Sequence, residues 1–211
     1  MKTPARALAL AAILTMHGFS AAAQSPEKAA VALRARSCQG CHGEKGDSTD
    51  PSVPRLNGQQ LRYLQLRLDS FRYPLRESPR AIHAMGDMAP ELSRQVIGPL
   101  ARFYAGQQPP AALPSAKTQE AGMRIYQKGE KQLPACASCH GAAGEGGGTT
   151  PRLAGQHARY LTLQLQSFAI AGRIAPPMNY HLWFVSPEQI SALVAYLAGP
   201  SAAAKTPAPR P

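Results

Sequence analysis

The pentapeptide Cys38-Gln39-Gly40-Cys41-His42 and its second copy, Cys136-Ala137-Ser138-Cys139-His140, use all four cysteines of the 211-residue chain. An even number of cysteines can mean disulfides, a zinc site or a redox dithiol. Here each pair is followed at once by a histidine, and the pentads lie 98 residues apart. A zinc ribbon gathers its sulfurs in one compact unit and has no need of those histidines. A redox dithiol of the thioredoxin type belongs to a βαβ pattern that this sequence lacks. Disulfides between the pairs leave the histidines unexplained.

The repetition extends well beyond the pentads. Pro54-Arg55-Leu56-Asn57-Gly58-Gln59 returns as Pro151-Arg152-Leu153-Ala154-Gly155-Gln156 at a shift of 97. Tyr63-Leu64 returns as Tyr160-Leu161, and Phe71 as Phe168, at the same shift. Met85 returns as Met178 and Ser93 as Ser186 at a shift of 93. Landmarks kept in order, with small deletions in loops, mark a tandem duplication with one domain per copy. The expected domains are 24–105 and 117–199. Between them, 106–116 is rich in proline around Pro109, Pro110 and Pro114 and reads as a semi-rigid linker. The Ala/Pro-rich stretch 200–211 reads as a disordered tail.

Each copy reads as three helices. The first precedes the pentad, at about 26–37 and 117–129. The second follows the Gly-Gln pair, where Leu61, Leu64, Leu68 and Phe71 recur at helical spacing, as do Leu161, Leu165 and Phe168. The third starts at Ser93 or Ser186, both good N-cap residues, with Pro187 at the first helical position. No strand alternation stands out, so the expected fold class is all-α.

Cys-x-x-Cys-His is the attachment signature of a c-type haem. The two thiols, Cys38 and Cys41 or Cys136 and Cys139, add across the vinyl groups as thioethers. His42 or His140 then faces the iron as an axial ligand. Two covalent haem c groups are therefore expected, each wrapped by one small helical domain. A large apolar cofactor also supplies the core that a domain this small otherwise lacks. For the opposite axial position the matched pair Met85 and Met178 are the candidates, each eight residues ahead of the serine that starts the last helix. A thioether favours ferrous iron and closes the site to small ligands. Met88 and His83 are rivals in the first copy and His181 in the second, while Met123 reads as core. Pro54 and Pro151 offer carbonyls to the Nδ1–H of the ligating imidazoles. Arg55 and Arg152 are candidates to pair with haem propionates. Tyr63 and Tyr160 read as core, with reach to the propionates as the alternative. Trp183-Phe184 has no counterpart in the first copy, and reads either as an aromatic shield over the second haem or as an exposed docking patch.

The chain starts with Lys2 and Arg6, an apolar run from Ala7 to Leu14, and Ala21-Ala22-Ala23. That is the layout of a secretory signal peptide, 1–23, cleaved near Ala23, with an apolar run too short to span a bilayer. The expected location is the periplasm. The formal charge is +11; without Lys2 and Arg6 of the signal peptide it is +9, shared by both copies without clustered bases. This argues against a nucleic-acid footprint and suits encounter with acidic protein faces or peripheral contact with an anionic membrane.

The order C-x-x-C-H-G, P-x-L-x-G-Q, Y-L, then methionine ahead of a helix start resembles the cytochrome c4 family. It runs from Cys38 to Gly43, Pro54 to Gln59, Tyr63-Leu64 and Met85 to Ser93, and again from Cys136 to Gly141, Pro151 to Gln156, Tyr160 to Leu165 and Met178 to Ser186. The resemblance implies two tandem class I cytochrome c domains with close haems and His/Met ligation in both. It also implies a periplasmic role carrying electrons toward a terminal oxidase. The expected partners are redox proteins, among them a membrane-bound oxidase or quinol-oxidising complex, with no small-molecule substrate and no catalytic residue. The alternatives are an electron-accepting subunit of a periplasmic dehydrogenase, a dihaem peroxidase and a gas-sensing haem module.

Overall fold

The computed structural model describes residues 35–72, 85, 92–110 and 119–199. The signal peptide, the tail, Met88, His83, most of the first expected helix and much of the linker lie outside the described residues. Among the described residues the chain is helical, with two isolated β-bridges, Glu130–Leu133 and Gly147–Thr150. After helical residues 35–42, the named helices are α1 (Leu61–Phe71), α2 (Arg94–Ala105), α3 (Glu120–Lys128), α4 (Ala137–His140), α5 (Ala158–Ala169), α6 (Pro176–Leu182) and α7 (Pro187–Ala198). The repeat offsets survive in three dimensions. Helices α1 and α5 start 97 residues apart, and α2 and α7 start 93 apart.

Each copy has its own core, because each helix buries one apolar stripe against its partner. In the first copy α1 packs on α2 through Leu64, Ile97, Leu100 and Tyr104. In the second, α3 and α5 pack on α7 through Ile125, Tyr126, Leu161, Leu193 and Leu197. Met123 lies at the edge of that core, as its position on the first helix suggests. Ser186 starts α7 with a full capping box, accepting from the Gln189 N–H while the Gln189 side chain accepts from Ser186. Ser93 holds the same place ahead of α2, but its side chain makes no cap bond.

Two features of the second copy were not expected. The pentad itself forms the short helix α4, and Met178 lies on a helix, α6, that packs against α5. Ala175-Pro176-Pro177 was the available signal, since proline fits the first turn of a helix, where its missing N–H costs nothing.

The turn before α1 and α5 is fixed to the end of the last helix. Gly58 and Gly155 adopt positive φ, and their N–H groups donate to the carbonyls of Tyr104 and Leu197, each at 3.0 Å. The α3–α7 crossing is closer still. A Cβ on Gly122 would stand 2.1 Å from the Ala192 carbonyl oxygen. Gly122→Ala is therefore expected to destabilise the second domain by about 3 kcal/mol, read by denaturant unfolding of the holoprotein.

Candidate haem sites

After each pentad the chain must turn back to bring the Pro-Arg-Leu segment over the histidine. Gly43 and Gly141 follow the histidines at φ 81° and 80°, where a side chain would be strained. The returning strand of each loop is tied down by Leu56 N–H to the Gly46 carbonyl at 2.7 Å, and by Leu153 N–H to the Gly144 carbonyl at 2.8 Å. The result is the same contact in both domains. Nδ1 of His42 lies 2.8 Å from the Pro54 carbonyl oxygen, and Nδ1 of His140 lies 3.0 Å from that of Pro151.

A carbonyl only accepts, so Nδ1 carries the proton and the ring's lone pair sits on Nε2. Burial holds both imidazoles below the ordinary histidine pKa, with the carbonyl hydrogen bond acting against it. Both rings are buried and neutral at neutral pH, with fixed tautomer and orientation.

The cysteines answer the competing chemistries. None is in a disulfide; Cys38 and Cys136 are half-buried, and Cys41 and Cys139 are exposed. Among the described residues no three His, Cys, Asp or Glu side chains gather to hold a metal ion. Burial pushes the Cys136 thiol up to about 11, the opposite of an activated dithiol. Two sulfurs and one neutral imidazole on a single turn fit a covalently attached haem. Arg152 Nε and His181 Nδ1 are buried without a hydrogen-bond partner among the described residues. Buried polar atoms are rarely left so, and both suit a pocket for a group with acidic substituents.

A profile of the cytochrome c family matches residues 119–199. Cytochrome c4 of Azotobacter vinelandii is 32% identical over 196 residues, covering 87% of this chain and 90% of that protein. The chain belongs to the cytochrome c4 family. The solved cytochrome c4 of Acidithiobacillus ferrooxidans shares the fold with a TM-score of 0.71 at 34% identity, covering 77% of this chain and 98% of that one. The thiosulfate dehydrogenase electron acceptor of Thiomonas intermedia is 34% identical over 158 residues, 72% of this chain and 71% of that protein. As a cytochrome c4 this protein is a two-domain class I cytochrome that carries two covalent haem c groups and serves electron transfer.

Between the two domains lies a junction built with near two-fold symmetry. Gln59 accepts from the Arg152 N–H at 2.7 Å and donates to the Arg152 carbonyl at 3.0 Å. Gln156 accepts from the Arg55 N–H at 2.9 Å and donates to the Arg55 carbonyl at 3.0 Å. One position on, Gln60 donates to the Glu145 carbonyl and His157 Nε2 donates to the Ser48 carbonyl, both at 2.8 Å. The Gly-Gln pair was visible in both copies, but a role for its glutamine requires the other domain to be in view.

The arginines and tyrosines also belong to this junction. The Arg55 guanidinium donates to the Gly155 carbonyl, and that of Arg152 to the Pro110 carbonyl at 3.3 Å. Tyr63 and Tyr160 are in neither core, contrary to the sequence expectation. The Tyr63 hydroxyl accepts from Arg173 of the other domain at 3.1 Å, and burial pushes the Tyr160 phenol up to about 12. Arg173 is itself buried over the Phe168 ring, 4.6 Å from its centroid.

Met85 is a half-buried helical residue, and Met178 is half-buried on α6. Around α6, Leu182 shares the face of Met178 and is buried, whereas Tyr180 and Trp183 stand on the other side, 66% and 72% exposed. Phe184 joins them, its ring 6.0 Å from that of Tyr180. Trp183 and Phe184 are therefore exposed side chains, with Trp183 off the Met178 face of α6.

His157 is the titratable member of the junction. Burial, then the nearby Arg55 charge, hold its pKa below the ordinary value, against the Ser48 carbonyl and Asp50. The unfolded chain then takes up its proton at higher pH than the folded one. The stability that neutral His157 contributes is present above roughly pH 6.5 and is lost as the pH falls toward the lowered folded value. Denaturant unfolding of the holoprotein near neutrality and at mildly acid pH should show a smaller acid loss in His157→Gln, which restores the residue of the first copy.

Proposed function

We propose that this protein is a periplasmic dihaem carrier that passes single electrons between redox proteins, with a terminal oxidase as the final destination. The observation that supports it most directly is the pair of matched His–Pro contacts, which readies one neutral imidazole in each domain as a ligand. Domains 24–105 and 117–199 each hold one group. Cys38 and Cys41, and Cys136 and Cys139, are the attachment points. His42 and Met85 in the first domain, and His140 and Met178 in the second, would hold the iron. Pro54 and Pro151 fix the imidazoles, and the remaining N–H donors of Arg55 and Arg152 would pair with the propionates. When bound, haem c supplies a one-electron ferric/ferrous couple.

The chain's own contribution is to hold that couple and to limit its chemistry. The Nδ1–H to carbonyl bond fixes the donor strength of each imidazole. The thioethers of Met85 and Met178 would keep oxygen and peroxide from the metal and raise the potential. Among the described residues no helix is long and apolar enough to cross a membrane, which suits an exported carrier meeting its partners through small transient interfaces.

A second reading has specific support. The Thiomonas relative is an electron acceptor of thiosulfate dehydrogenase, and in this reading a dehydrogenase is the donor for this chain. Both readings share the same haem chemistry and differ in partner alone. Purified thiosulfate dehydrogenase mixed with thiosulfate should reduce the holoprotein in stopped-flow within the turnover time if the second holds. No reduction favours the oxidase-directed carrier.

The ligand assignment has its own test. A spectroscopic redox titration of the mature protein should give two haems and, in the ferric state, the red charge-transfer band of methionine ligation. Met178→Ala and Met85→Ala should each remove part of that band and lower one potential by roughly 0.1 V or more, a fraction of the range that axial ligands span. An intact band in Met85→Ala would move the first-domain assignment to Met88.

A further inference from the structure

The junction and the axial histidines share a covalent unit. The carbonyl that receives the His42 Nδ1–H belongs to Pro54, and the N–H that meets Gln156 belongs to Arg55. These are the two ends of one planar peptide. In the other domain the Pro151 carbonyl receives the His140 Nδ1–H, and the Arg152 N–H of the same peptide meets Gln59. Each peptide plane is thus held on its oxygen side by its own domain's histidine and on its nitrogen side by the other domain's glutamine.

Taking His42 and His140 as the axial ligands, we propose that Gln59 and Gln156 are positioning residues that act across the junction, each setting the donor strength of the other domain's histidine. Hydrogen bonds in a chain polarise one another. When the Gln156 oxygen accepts from the Arg55 N–H, the amide shifts electron density toward its oxygen. The Pro54 carbonyl then becomes the stronger acceptor and draws harder on the His42 proton. The imidazole gains basicity at Nε2, which stabilises the ferric state and lowers the potential. Gln59 does the same to His140 through Pro151–Arg152.

The geometry meets the requirements of such a relay. Both glutamines are buried, 8% exposed at Gln59 and 6% at Gln156, so water does not compete for the amide. Each clamps its arginine at both the N–H and the carbonyl, which belong to the two peptides flanking that residue, and so fixes the backbone on both sides of it. Their oxygens also accept from the following backbone N–H, of Gln60 at 2.9 Å and of His157 at 3.0 Å, which holds each amide in place. The consequence is reciprocal: separating the domains raises both potentials, and docking them lowers both.

The test reads each histidine separately. In the reduced, diamagnetic holoprotein, the Nδ1–H proton resonances of His42 and His140 report the strength of their hydrogen bonds. Gln156→Ala should move the His42 resonance upfield and raise the potential of the first-domain haem, leaving His140 in place. Gln59→Ala should do the reverse. A general loosening of the junction would instead move both, and Gln60→Ala is the control. It removes a cross-domain bond to the Glu145 carbonyl that touches neither peptide, and should move neither resonance. The relay is overturned if each glutamine variant shifts its own domain's histidine, both histidines equally, or neither. Haem count and ferric spectrum are recorded on the same samples. If they lack histidine ligation, the ligand assignment itself has failed. If ligation is intact and the resonances stay put, only the relay has.

Discussion

One hydrogen bond per domain organises the rest, from an imidazole Nδ1–H to a proline carbonyl. It fixes the tautomer, so the lone pair is at Nε2, and it fixes the ring plane while the thioether attachments fix the helical turn. Everything that brings the proline back serves that contact: the left-handed glycine after the histidine, the tie from leucine to glycine, and the anchoring of the next turn to the last helix. A class I cytochrome domain is small, and its packing here is organised around the contact that holds one imidazole in place.

Duplication then places two such contacts back to back. The amides of Gln59 and Gln156 cross the junction and reach the peptides next to the prolines. The two halves are not identical in chemistry. Where the first copy has Gln60, the second has buried His157. Where the first has Arg67 over the Phe71 ring, the second has Gln164, and Arg173 from the following loop covers Phe168 instead. An outward aromatic group, Tyr180, Trp183 and Phe184, lies on the second domain. A symmetric frame with unequal charges is a direct way to give two haems unequal environments.

Much of the fold was legible because covalent chemistry and periodicity are local. The pentads name the attachment points, and the helical spacing of Leu61 to Phe71 and of Leu161 to Phe168 matches α1 and α5. The start of α7 followed from Ser186-Pro187, and the proline contacts followed from the interval of twelve or eleven residues after the histidine. Other features needed contacts between residues far apart in sequence. Tyr63 and Tyr160 look like core at their helical positions, yet their hydroxyls reach the junction, because the second surface that buries them is the other domain. The helix carrying Met178 was missed although Pro176 and Pro177 marked its first turn, since proline pairs are equally at home in loops.

The sequence by itself determined the cofactor, its number and its attachment. Those depend on which reactive atoms lie within one turn of chain, and the order of residues decides that. Only the tertiary structure decided that Gln59 and Gln156 reach across to the other domain's backbone, that Arg55 and Arg152 are held by carbonyls of the junction, and that Trp183 faces away from Met178. Those are meetings between segments about a hundred residues apart, and no local propensity encodes the pairing. It arises when two copies of one domain bury their matching turns against each other, and the backbone groups there must find partners away from water.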